Sequence, residues 1–139
     1  MQKIENLSKD FSVSERENMS DKQILLIEDN ITLAIGLETC LVANGYVVKR
    51  VMNGRDAYAA CQEKLPDLIV TDIMMQHMDG LTFLQHLRQL PNGDDVPVIV
   101  ISGMADRYSI NEIKALGVET ILIKPFALES FLGAVGESL

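Results

Sequence analysis

The sequence predicts an α/β domain: a parallel β-sheet with helices packed on both faces. Three observations lead there. Short apolar runs alternate with amphipathic segments along most of the chain. Several of those runs are nearly continuous in Ile, Leu and Val, as strands covered on both faces require. And 139 residues at 47% hydrophobic content suffice for one core, with a second folded domain unexpected.

Residues 1–22 are polar and mixed in charge, and Leu7, Phe11 and Val13 are too scattered to form an apolar face. They predict a flexible or marginally helical extension ahead of a domain at 23–139. The run QILLIE, 23–28, is the first strand. Leu33, Leu37 and Leu41 then recur every fourth residue, and Gly45 stands as a stop, so a helix follows. YVVKRV, 46–51, is the second strand, and Asn53 is placed to cap a helix that ends before Pro66. DLIVTD, 67–72, is the third, followed by a core-facing helix over 81–90 in GLTFLQHLRQL. VPVIVIS, 96–102, leads to a helix over 106–116, and ETILIK, 119–124, to a last helix over 127–138. That last helix carries an apolar stripe of Leu128, Phe131, Leu132, Val135 and Leu139. Gly133 and Gly136 weaken it by about 1 kcal/mol each relative to Ala, so its order must come from packing. The first, third and fourth runs are the most apolar and are expected at the centre of the sheet.

A net charge of −8 disfavours direct binding to nucleic acid or to an anionic membrane surface. Partners are therefore expected to be proteins or small ligands. No stretch approaches the roughly 20 apolar residues of a membrane-spanning helix. With only two cysteines, a cytoplasmic, reducing setting is the expectation. Cys40 and Cys61 fall on the first and second helices, on opposite faces of such a sheet, which excludes a disulfide between them.

The polar residues at the strand ends bear on chemistry. Glu28 and Asp29 end the first strand, Asp72 the third, Ser102 the fourth and Lys124 the fifth. Ligands bind at the carboxyl ends of open parallel sheets, so these residues should converge. Adjacent carboxylates repel and resist burial. Three acids against one lysine leave a deficit of two charges, which Mg²⁺ suits because it takes one or two carboxylates and keeps water and phosphate oxygens as its other ligands. Ser102 and Lys124 are donors fit for phosphoryl oxygens, and Asp72 is a carboxylate nucleophile. Together they describe Mg²⁺-assisted phosphoryl transfer onto Asp72.

At these residues the chain resembles the response-regulator receiver domains of two-component signalling. The resemblance rests on the acidic pair at 28 and 29, DIMMQHMDG from Asp72 to Gly80, VIVISG with Ser102 thirty positions after Asp72, and ALGVETILIKPF ending at Phe126. Each motif alone is weak; their order and spacing are specific, and they span roughly 23–138. The resemblance implies a flavodoxin-like (βα)5 doubly wound sheet of strand order 2-1-3-4-5. It implies that Asp72 takes phosphate from a sensor histidine kinase or a histidine phosphotransfer protein and thereby switches contacts with a downstream protein. Asp29 would be the main metal carboxylate, Glu28 would act directly or through water, and Met74 would offer its backbone carbonyl. Ser102 and Lys124 would bind the phosphoryl group, and the peptide before Pro125 would be cis. Homodimerisation through the last two helices and last strand is an option by family analogy alone.

Three positions depart from the family pattern. Gln76 replaces the usual proline, which loosens the expected loop after Asp72. Ile121 stands where an aromatic residue commonly reports phosphorylation, and Gly103 replaces the commoner alanine. The expected route of output is therefore the SGMAD loop, with Gly103 and Met104, and the helix over 106–116. His77, a lone histidine near the site, is read as solvent-facing, His86 as a helix-surface residue, and Met75 and Met78 as packing residues. Among competing functions, a haloacid-dehalogenase-type phosphatase would want an acid where Met74 stands, and a flavin module would want a phosphate-cradling loop after the first strand. A degenerate receiver acting as a phosphate-independent binding module is disfavoured because every reactive position is filled.

Overall fold

The computed structural model of the chain describes residues 22–75, 78–103 and 110–139. Apart from Lys22, the extension over 1–22 lies outside the described residues, as do Gln76, His77 and the predicted first turn of the fourth helix. The elements run β1 (Gln23–Ile27), α1 (Ile31–Ala43), β2 (Val47–Val51), α2 (Gly54–Glu63), β3 (Leu68–Asp72), α3 (Gly80–Leu87), β4 (Val98–Ser102), α4 (Ile110–Ala115), β5 (Thr120–Ile123) and α5 (Leu128–Ser138). A short 3₁₀ turn at Gly93–Asp95 precedes β4. All five strands are parallel and ordered β2-β1-β3-β4-β5, the predicted topology.

Alternation along the buried strands divides the core in two, because successive side chains point to opposite faces. On one face Leu25, Ile27, Ile69 and Val100 meet Ala57 and Cys61 of α2, Phe83, Leu84 and Leu87 of α3, and Ile113 of α4. On the other, Ile24, Leu26, Val70 and Ile99 meet Leu37 and Leu41 of α1 and Phe131 and Val135 of α5. β3 and β4 are buried throughout and β1 nearly so, whereas the edge strands β2 and β5 are half-buried or exposed. The central placement of the three most apolar runs follows. Cys40 and Cys61 are free and belong to helices on opposite faces. Among the described residues no helix is long and apolar enough to cross a membrane.

Side-chain caps fix where three helices start. Asn30 accepts the Leu33 N–H at 3.0 Å, Asn53 the Asp56 N–H at 2.7 Å and Asp79 the Thr82 N–H at 2.8 Å, each satisfying a donor that the first turn leaves free. α1 stops as predicted at Gly45, whose φ of +92° suits glycine. α3 ends at Leu87, earlier than the pattern to residue 90 suggests, because the chain tightens there. Leu90 N–H donates to the Leu87 carbonyl and Gly93 N–H to the Leu90 carbonyl. The Arg88 guanidinium then holds the Leu116, Gly93 and Val96 carbonyls at 2.7–2.8 Å. His86 departs from its predicted surface role. Its ring is half-buried, 5.4 Å from that of Tyr58, and its Nδ1 is enclosed, because α2 packs closely on α3.

Candidate functional site

The parallel register delivers the predicted residues to one end of the sheet. Ile27 lies opposite both Val51 and Thr71, so β1, β2 and β3 finish level, and Glu28 and Asp29 leave β1 beside the end of β3. Asp72 closes β3 opposite Ile101, one residue before Ser102, and Ser102 lies opposite Ile123, one residue before Lys124. The Lys124–Pro125 peptide is cis, as expected.

The carboxylates of Glu28, Asp29 and Asp72 each offer an oxygen within 4.8 Å of the others. Glu28 and Asp72 are almost wholly buried, at 1% and 4% exposure, while Asp29 is half-buried. Lys124 Nζ lies 2.7 Å from Asp72 Oδ2 and 3.7 Å from Glu28 Oε1. The other Asp72 oxygen, Oδ1, accepts the Met74 N–H at 3.1 Å, and Glu28 Oε2 accepts the Asn30 N–H at 3.0 Å. Glu28 Oε1, by contrast, accepts no hydrogen bond from any described residue although it is enclosed. A buried carboxylate oxygen without a donor is costly unless a cation supplies what is missing.

The electrostatics agree. Burial pushes the Glu28 carboxyl up to about 7, reinforced by the Asp72 charge and opposed by the Asn30 N–H and the Lys124 charge. Burial alone would lower the Lys124 ammonium, but the hydrogen bond and charge of Asp72, with Glu28 and Asp29 behind it, more than offset this and raise it. Lys124 stays charged, and its one positive charge faces three acids. An oxygen-preferring divalent cation fits the donor set of Glu28, Asp29 and Asp72, all hard oxygens.

Ser102 is turned away from the cluster, whereas Met74 is held beside it through its N–H. The Ser102 hydroxyl donates to the Gly103 carbonyl at 3.1 Å rather than toward Asp72. Met74 is 55% exposed, its N–H already engaged with Asp72. Of the predicted output residues, Ile121 is half-buried against the core on the α3 and α4 side, Gly103 is half-buried, and Met104 lies outside the described residues. Sequence reasoning used Asn53 only as a helix cap and missed its neighbour Gly54, whose N–H donates to the Met78 carbonyl at 3.0 Å. The signal available was an Asn-Gly pair one residue after a strand, where glycine permits a close backbone approach.

Residues 24–136 match the family model described as the response regulator receiver domain. Among curated proteins the chain is 36% identical over 113 residues to the response regulator MprA of Mycolicibacterium vanbaalenii, covering 79% of this chain and 47% of that protein. It is 28% identical over 113 residues to the phosphate regulon transcriptional regulatory protein PhoB of Rhizobium meliloti, covering 81% and 50%. The chain thus spans about half the length of these curated relatives. Among solved structures, the chemotaxis response regulator CheY4 of Vibrio cholerae superposes with a TM-score of 0.79 at 27% identity, over 85% of this chain and 98% of that one. The receiver domain of a sensor histidine kinase from Pseudomonas aeruginosa, solved with a magnesium ion coordinated in its active site cleft, superposes with a TM-score of 0.77 at 27% identity, over 84% and 95%.

Proposed function

This chain belongs to the response regulator receiver domain family of two-component signalling, and from that membership we propose that Asp72 is its phosphoacceptor and Glu28, Asp29 and Asp72 its Mg²⁺ carboxylates. The family as a whole works by phosphoryl transfer onto an aspartate and acts as a signalling switch rather than as a metabolic enzyme. The observation that supports the finer assignment is the convergence of three carboxylates within 4.8 Å around a single lysine, with one buried oxygen lacking a donor.

In this reading the Asp72 carboxylate attacks the phosphorus of a phosphohistidine on a sensor kinase or phosphotransfer protein. The new O–P bond forms as the P–N bond breaks, and the imidazole departs as the leaving group. Asp72 is held ready because its two oxygens are already oriented, one by the Met74 N–H and the other by Lys124. Lys124 then transfers its interaction from the bare carboxylate to a phosphoryl oxygen. The Ser102 hydroxyl turns from the Gly103 carbonyl to do the same. Mg²⁺, when bound, neutralises charge between the acids and the phosphoryl oxygens. Met74 would offer its backbone carbonyl to that ion. The protein acts in the cytoplasm, where phosphorylation of Asp72 changes its contacts with a downstream protein.

The test is intact-mass spectrometry of the chain and of its Asp72→Asn variant after incubation with a small phosphodonor such as acetyl phosphate, with Mg²⁺ and with EDTA. One added phosphoryl group is expected only in the unsubstituted chain and only with Mg²⁺. Equal labelling of Asp72→Asn would remove Asp72 from its assigned role.

A further inference from the structure

The end of β2 and the start of α2 touch both chain segments that bring carboxylates to the site. The Val51 carbonyl accepts the Glu28 N–H at 3.1 Å, and three residues later the Gly54 N–H donates to the Met78 carbonyl at 3.0 Å. Between these contacts Asn53 is buried, and its side chain anchors the first turn of α2 through the Asp56 N–H. Met78 lies in the segment that leaves Asp72. That segment closes on itself at Gly80, whose N–H donates to the Ile73 carbonyl at 2.9 Å. The approach at residue 54 leaves no room for a side chain. A Cβ there would overlap the Met78 carbonyl oxygen and press on the Met78 side chain.

We infer that Gly54 is a positioning residue for the metal site: through Met78 and the nearby Gly80–Ile73 contact it fixes the end of β3 that carries Asp72 relative to the segment that carries Glu28 and Asp29. The inference rests on the metal-binding reading of those carboxylates given above. If Gly54 merely began a helix, alanine, the better helix former, would be harmless there. It should be harmless at Gly36, in α1, where a Cβ meets nothing within 4 Å. At position 54 alanine must displace Met78, two residues before Gly80, which is tied to Ile73 by its N–H and packs directly on the Asp72 carbonyl. Groups that orient metal ligands without touching the ion typically matter by about 10–100-fold in affinity.

The experiment uses the full chain and its Gly54→Ala and Gly36→Ala variants. Mg²⁺ is titrated into each by calorimetry at constant ionic strength, and each is melted in EDTA so that binding and folding are read separately. Exchange of the Gly54 amide hydrogen in the unsubstituted chain is followed by NMR with and without Mg²⁺. Gly54→Ala should bind Mg²⁺ at least about ten-fold more weakly and Gly36→Ala should bind it normally. Because coupling between sites is reciprocal, Mg²⁺ should also slow exchange of the Gly54 amide. If Gly54→Ala does not fold, that exchange measurement decides alone. A folded Gly54→Ala with unchanged affinity overturns the inference and leaves the metal reading intact, as does a Gly54 amide indifferent to Mg²⁺ in a chain that binds the ion. An unsubstituted chain that binds no Mg²⁺ overturns both.

Discussion

Glu28 shows how a single residue can be costly to the fold and useful to the site. Its carboxyl is buried and pushed up to about 7 from an ordinary value of 4.5, first by desolvation and then by Asp72. Between those two values the folded chain binds more protons than the unfolded chain, so the metal-free protein should lose stability as pH rises from about 4.5 to 7. Above that window the cost is fully present. Glu28→Gln removes the ionisation, so this variant should flatten the slope and be the more stable protein at pH 8, by roughly 3 kcal/mol. Urea midpoints measured with EDTA across pH 5–8 check this; a slope that persists in Glu28→Gln would assign the pH dependence elsewhere. The convergence of Glu28, Asp29, Asp72 and Lys124 was legible in the sequence because charged residues at the ends of apolar strands stand out. The enclosed oxygen of Glu28 and the Ser102 hydroxyl turned to Gly103 were not legible, because they depend on rotamers and on loop backbone.

At the scale of elements, apolar runs and stop signals found the five strands and five α-helices but not the 3₁₀ turn at Gly93–Asp95, and Asn53, read as a cap, stands where its helix begins. The weakness foreseen in α5 has a second source beyond Gly133 and Gly136: its first turn is preceded by Ala127, which provides no side-chain cap. Ends were less legible where backbone carbonyls do the work. Arg88 joins the end of α3 to the 3₁₀ turn and to the connection after α4 through three carbonyl oxygens, partners that leave no trace in side-chain patterns. Burial lowers its pKa, and Asp94 opposes that shift, so the group is a half-buried charge that donates to main-chain carbonyls. Replacing it by methionine keeps much of the packing and leaves carbonyls unpaired. Arg88→Met should therefore cost roughly 2–4 kcal/mol, seen as a lower urea midpoint, with Mg²⁺ affinity unchanged because none of its contacts reaches the acidic end of the sheet. A loss of less than about 0.5 kcal/mol would mean that water replaces the guanidinium.

For the whole molecule, the sheet order decides where charge accumulates. Two apolar cores fix the strands in register, and parallel register brings the strand ends that carry Glu28, Asp29 and Asp72 to the same end of the sheet. The chain as a whole carries a net charge of −8, so any cation relieves some general repulsion. Specific and general effects separate by comparison at equal ionic strength. A ligand that binds only the folded state stabilises it by mass action, about 2.7 kcal/mol at one hundred times its dissociation constant. Mg²⁺ should therefore raise the melting temperature well beyond an ionic-strength-matched Na⁺ control at pH 8, where Glu28 is ionised and metal need not displace a proton. In Asp29→Asn the two salts should act alike, since one of the three converging carboxylates is gone while both cores are untouched. An equal Mg²⁺ effect in that variant would place the ion's stabilising site away from the strand ends, because general screening alone cannot distinguish the two salts at matched ionic strength.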